Sequence, residues 1–192
     1  MAYATLAQLK AYLGIVELDD DALLAALIAR AQSFVEAHTG RVFEAATQTR
    51  HFDKSCINED ENALIVDRDL LTVTTLTNGD SDATVIPNTE YWLIPRNETP
   101  RYGIKLRKDS SYTWEFDTDY WASVAGTWGY STTVPADITH ATIRLSGYYY
   151  AQKDTQVWDT TVIPDAGVIT VPQGIPRDVK WLLKPYIRIG AG

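Results

Sequence analysis

The chain has 192 residues, 45% hydrophobic, 22% charged and 11% aromatic, with a formal net charge of −8. This composition fits one folded domain, or one domain carrying a sizeable insertion, and leaves little room for extended disorder. The acid surplus argues against a general phosphate-neutralising surface, the lone Cys56 excludes an intrachain disulfide or a multi-cysteine zinc site, and no apolar run reaches the roughly 18–20 residues of a membrane span.

Thr5 and Gln8 have the spacing of a capping box, and Leu6, Leu9, Tyr12 and Leu13 recur at helical intervals up to Gly14, which predicts a short helix from Leu6 to Leu13. The acidic run Asp19 to Asp21 then offers an N-cap and favourable charge for a second, longer helix. Its apolar face comprises Leu23, Leu24, Leu27, Ile28, Ala31, Phe34, Val35 and His38, and Gly40 ends it.

From Arg41 the periodicity changes to short β-branched and aromatic runs. Strands are predicted at Thr47 to Phe52, Ala63 to Val66, Leu71 to Leu76, Thr84 to Ile86, Tyr91 to Ile94 and Gly103 to Leu106, with a further β segment at Val124 to Tyr130. Turn clusters such as Asn78-Gly79-Asp80 and Pro95-Arg96-Asn97 separate them, so the middle reads as a meandering antiparallel sheet.

Pro135-Ala136-Asp137 opens a third helix, with Ile138, Ala141, Thr142, Leu145, Tyr148 and Tyr149 on one face, extending to about Lys153. Two apolar runs between Val157 and Val171 flank Pro164 to Gly167 and read as a small hairpin or a loop. Pro176-Arg177-Asp178 begins a last short helix, which Pro185 interrupts. No repeat or low-complexity segment interrupts this α+β pattern.

Chemical motifs are sparse. His38, His51 and His140 lack metal-ligand spacing, and there is no GxSxG, P-loop or GxGxxG sequence. Carboxylate pairs such as Glu59 with Glu61 and Asp117 with Asp119 lie in polar stretches that read as solvated turns, so no catalytic, cofactor-binding or metal-binding residue is assigned. Trp114, Tyr120, Trp121, Trp128 and Tyr130 could form a stacking platform for carbohydrate, or fill a small core and subunit contacts.

Three blocks in order carry a resemblance. The first is Tyr3-Ala4-Thr5-Leu6-Ala7-Gln8-Leu9-Lys10-Ala11-Tyr12-Leu13-Gly14, followed by Asp20 to Leu24 and a long helix ending in His38-Thr39-Gly40-Arg41-Val42-Phe43. The second is Gly126-Thr127-Trp128-Gly129-Tyr130 with Val134-Pro135-Ala136-Asp137-Ile138 and the helix bearing Tyr148 to Tyr150. The third is Ile175-Pro176-Arg177-Asp178-Val179 with Leu182, Leu183 and Pro185-Tyr186. Together they resemble the head-tail connector (adaptor, head-completion) proteins of tailed bacteriophages and prophages, with a middle longer than that of the compact helical members.

The resemblance implies a helical hairpin and C-terminal helices forming a small bundle from residues 1–43 and 134–192, with a β-rich insertion at 44–133 and a hairpin or loop at 157–171. It implies a structural, non-catalytic virion subunit at the neck, assembled in the host cytoplasm. Twelve copies would ring the DNA channel beneath the portal and present a platform for the next head-completion or tail protein. DNA would be passing cargo, and neither a membrane nor a cofactor would be involved. The portal-docking element would be the C-terminal segment, with Trp181, Tyr186, Ile187 and Ile189 as anchors and Lys184 and Arg188 as charge partners. A carbohydrate- or surface-binding module, an acidic enzyme and another tail-completion protein are the alternatives.

Overall fold

The computed structural model describes residues 2–117, 120–153, 161–163, 167–169 and 175–188. The chain divides into two compact units, Met1–Gly40 with Val134–Gly192, and Arg41–Thr133. Helices and antiparallel strands segregate between them, an α+β architecture.

In the helical unit, α1 (Leu6–Leu13) has the capping box read from the sequence. The Gln8 N–H donates to the Thr5 hydroxyl oxygen at 3.2 Å, and the Thr5 N–H donates to Gln8 Oε1 at 2.8 Å. Gly14, at φ 70°, ends the helix and donates its N–H to Lys10 O. The second helix, α2 (Asp21–Thr39), buries Leu24, Ile28, Ala31, Val35 and Thr39, a stripe at three- and four-residue steps, and Gly40 stops it at φ 66°. Asp20 stands at the N-cap position and Asp21 in the first turn, as expected, but their side chains are engaged elsewhere. Asp20 makes no capping bond; its carboxylate accepts from the Tyr150 hydroxyl and from Lys153 Nζ at 2.6 Å. Asp21 accepts from Lys10 Nζ, also at 2.6 Å. Asp20 and Asp21 therefore start the helix and also tie it to its neighbours.

The third helix, α3 (Ala136–Ala151), lies against α1 and α2 with a face of small residues: Ala141, Thr142, Ser146 and Gly147 are buried beside Ile138 and Leu145. A Cβ at position 147 would rest in ordinary contact with Leu13 and Tyr12, at 3.4 and 3.5 Å, so α1 packs over Gly147 without excluding a methyl group. The buried hydroxyls of Thr142 and Ser146 donate to carbonyls one turn back, at 2.8 and 2.7 Å, which leaves no unpaired donor on that face. Between Val157 and Val171 the described residues form an antiparallel hairpin of β8 (Thr161–Ile163) and β9 (Gly167–Ile169). The last helix, α4 (Arg177–Leu183), runs into a 3-10 turn at Lys184–Tyr186.

The β unit contains β1 (Ala46–Phe52), β2 (Ile57–Asn58), β3 (Ala63–Thr77), β4 (Val85–Ile86), β5 (Tyr91–Ile94), β6 (Arg101–Leu106) and β7 (Ala122–Trp128). All pair antiparallel, in the order β1-β7-β3-β6-β5, so the sheet is not the simple meander expected. The two strands predicted between Ala63 and Leu76 are one strand of 15 residues, which continues through a bulge over the polar interval Asp67-Arg68-Asp69. The first half of β3 pairs with β6 (Leu64↔Ile104) and its second half with β7 (Leu76↔Val124), which makes it the spine of the unit.

Gly126 lets β7 run close against β3. A Cβ there would lie 2.1 Å from the Thr72 carbonyl oxygen, at the register irregularity where β7 meets β3. Gly129 turns the chain out of β7 at φ 135° while its N–H donates to Asp69 O. The core of the unit gathers Phe52, Leu64, Val66, Leu70, Leu76, Ile86, Tyr91, Ile104, Leu106, Val124 and Trp128.

Candidate interaction surface

The C-terminal element is fixed from beneath and open above. Val179 and Leu183 lie four residues apart on one face of α4 and are fully buried. Trp181, two residues from each and therefore about 200° around the helix, points the other way and is 77% exposed. An indole this exposed gains almost nothing from folding, so its burial energy is available to a partner. Lys184, one turn on, is exposed, and Ile187 is 41% exposed.

The remaining candidates do more holding than presenting. Tyr186 is half-buried and its hydroxyl donates to Asp137 Oδ2 at 3.2 Å. The backbone N–H of Arg188 donates to Thr39 O at 2.8 Å, and its Cβ lies 3.6 Å from the position a side chain on Gly40 would take. Arg144 of α3 braces the base of α4 through an ion pair with Asp178 and a 2.8 Å bond to the Tyr12 hydroxyl, and these contacts raise the guanidinium pKa above its ordinary value. The predicted surface thus reduces to Trp181, Lys184 and Ile187 on a scaffold set by Tyr186 and Arg188; Ile189 lies outside the described residues.

Exposed apolar residues that the sequence reading passed over sit between α1 and α2. Val16 is 81% and Leu18 74% exposed, and Leu23, assigned to the buried face of α2, is 38% exposed. The available signal was that Val16 and Leu18 follow the Gly14 stop with no periodic partner.

The aromatic residues of the middle do not form one platform. Trp128 is buried and donates its indole N–H to Gln48 O at 3.0 Å, Tyr130 packs on Phe43, and Trp114 packs against the core. Only Tyr120 and Trp121 of the five are as much as half exposed. A shallow recess of about 240 Å³ beside Trp114 is lined by Lys54, Glu59 and Asn62 among others, and brings in one carboxylate rather than a converging pair. Each histidine is in ring contact: His38 with Phe34, His51 with Trp121 and His140 with Tyr12. Among the described residues no group of three or more His, Cys, Asp or Glu could hold a metal ion, and no helix is long and apolar enough to cross a membrane.

Comparison with known proteins agrees with the first of the three sequence blocks. Residues 3–75, which span α1, α2 and the sheet as far as β3, match the family described as phage gp6-like head-tail connector protein. Solved structures then give the fold of the whole chain. A chain in the neck of an empty gene transfer agent (GTA) particle, computed with C6 symmetry, superposes with a TM-score of 0.66 at 15% identity, covering 99% of this chain and 93% of that one. A chain in the neck of the native GTA particle, computed with C12 symmetry, gives 0.62 at 17% identity over 97% and 91%. A chain in the virion of the native particle gives 0.63 at 17% identity over 99% and 93%. No curated protein matches the sequence.

Proposed function

We propose that the chain is a head-tail connector subunit: a structural, non-catalytic neck protein. It forms a ring beneath the portal, extends the DNA channel and carries the next head-completion or tail protein. The observation that carries this reading is the coincidence of a connector-family match over residues 3–75 with a fold shared, over nearly the whole chain, with neck proteins of a phage-like particle. In this reading the helical unit is the connector core, the unit Arg41–Thr133 is the inserted domain, and the ring has twelve copies. Trp181, Lys184 and Ile187 face the portal, with an aromatic anchor on the braced helix and an aliphatic one just beyond its closing turn. The net charge of −8 suits a channel past which DNA must slide without being gripped.

The test is to mix the purified chain with the portal protein of the same particle and look for a ring by negative-stain electron microscopy and native mass spectrometry. The expected result is a twelve-copy ring on the portal, lost with the double substitution Trp181→Ala and Ile187→Asp. Cutting the chain after Lys180 is a poorer test, because it removes the buried Leu183 and damages the helical unit itself. Absence of any ring on the portal would refute the reading.

A further inference from the structure

We infer that the outer face of the β5–β6 hairpin is the cationic half of a contact between two copies of this chain. The inference rests on the ring reading above and assigns a surface to it. Along β6, Ile104 and Leu106 are buried in the core, so alternation places Arg101, Lys105 and Arg107 on the opposite face. Trp92 is directly across from Lys105 in the register of β5 and shares that face. The guanidinium carbons of Arg96 and Arg107 lie 3.6 and 4.3 Å from the Trp92 ring centre, so the indole holds two cations in place.

These cations, with Lys108, have no ion-pair partner among the described residues, whereas Lys10, Arg41, Arg50, Arg144 and Lys153 each meet an aspartate. Glu90 stands across from Arg107, whose backbone N–H it accepts, yet no ion pair joins them. Residues 90–108 hold five Lys or Arg and two Glu, a surplus of three positive charges, so the rest of a −8 chain carries −11. The strand β5 is also a sheet edge, with backbone groups open on one side.

Charge complementarity chooses the occupant. Copies of a −8 chain repel one another as they pack side by side unless opposite charges are juxtaposed, and a cationic face set against an acidic body does this while fixing a head-to-tail register. The same acid surplus opposes a polyphosphate, and Trp92, already engaged by two guanidiniums, is poorly placed to stack a base.

The experiment compares ring formation on the portal, at low and high salt, for the wild-type full chain, Lys105→Glu/Lys108→Glu, and Lys54→Glu/Arg68→Glu. The two variants change net charge equally, so only position separates them. In parallel, an equal mixture of isotopically light and heavy chains is treated with a zero-length carbodiimide and mapped by mass spectrometry. The expected results are at least a tenfold loss of ring occupancy for the Lys105/Lys108 variant alone, unchanged circular dichroism, and heavy–light crosslinks from Lys105 or Lys108 to Asp or Glu. Rings as abundant as wild type without such crosslinks would overturn the inference and leave the connector reading standing. Absence of rings together with heavy–light crosslinks would sustain the contact and sink the ring reading; absence of both would sink both.

Discussion

Replacing Gly126 with alanine tests why this segment has the sequence it has. The added methyl carbon would sit 2.1 Å from the Thr72 carbonyl oxygen and 3.2 Å from Val73 Cα, both backbone atoms of the facing strand. Relief needs β7 and β3 to part by about 1 Å at the centre of the sheet, which strains packing by about 1–3 kcal/mol. It also weakens one or two ladder hydrogen bonds worth about 1 kcal/mol each. The total is about 2–5 kcal/mol, and for a unit of this size each kcal/mol moves the midpoint by roughly 4–8 °C. Near-ultraviolet circular dichroism reads the transition, because the buried Trp128 lies two residues along β7. Gly14→Ala is the control: its φ is 70° but nothing lies within 4 Å of the new methyl, so only left-handed strain of about 1–2 kcal/mol is expected. A Gly126→Ala midpoint no lower than that of Gly14→Ala would refute the close-approach argument.

Other expectations follow from the same contacts. Trp181→Ala leaves the thermal midpoint within about 4 °C, because an exposed side chain contributes within about 0.5 kcal/mol to folding, and a larger drop in a thermal melt would mean the indole is a structural element. Leu183→Ala destabilises the helical unit by about 2–5 kcal/mol in urea unfolding, since the leucine is fully buried against it. Asn78 is 4% exposed; its amide donates to Thr113 O at 2.9 Å and its carbonyl accepts from the Glu115 N–H at 3.1 Å, so Asn78→Leu strands two partners and costs about 2–4 kcal/mol by the same measurement. Hydrogen bonds from Lys153 and Tyr150 hold the Asp20 carboxyl below the usual aspartate range. Its contribution is present above the unfolded pKa of about 3.9 and is lost as pH falls through the lower folded value. The midpoint gap between wild type and Asp20→Asn should therefore be present at neutral pH and close in acid; a gap independent of pH would contradict the assignment.

The helices were legible because their signals are local. Thr5 with Gln8, Gly14, Gly40 and the apolar period of α2 place both ends of α1 and the end of α2 where the structure has them. The sheet was legible strand by strand but not in its order, because pairing is decided by contacts distant in sequence. Nothing near Asp67 to Asp69 says that the chain bulges and continues rather than turns, since the decision rests with β6 and β7. Asp20 was legible as a cap position because caps are local, while its side-chain partners, Tyr150 and Lys153, lie more than a hundred residues on. For the candidate interaction surface, the residues came from resemblance and the structure separates the exposed from the buried among them. Helical geometry separates Trp181 from the buried Val179 and Leu183, a division the short interval between two prolines is too brief to reveal by periodicity.

A single-particle reconstruction of the chain bound to its portal, at a resolution that shows side chains, tests the central claim most directly. The connector account predicts twelve copies around a DNA-width channel, with Trp181 and Ile187 covered by the portal. A complex without rotational symmetry, or a ring that leaves Trp181 in solvent on the face away from the portal, would contradict it.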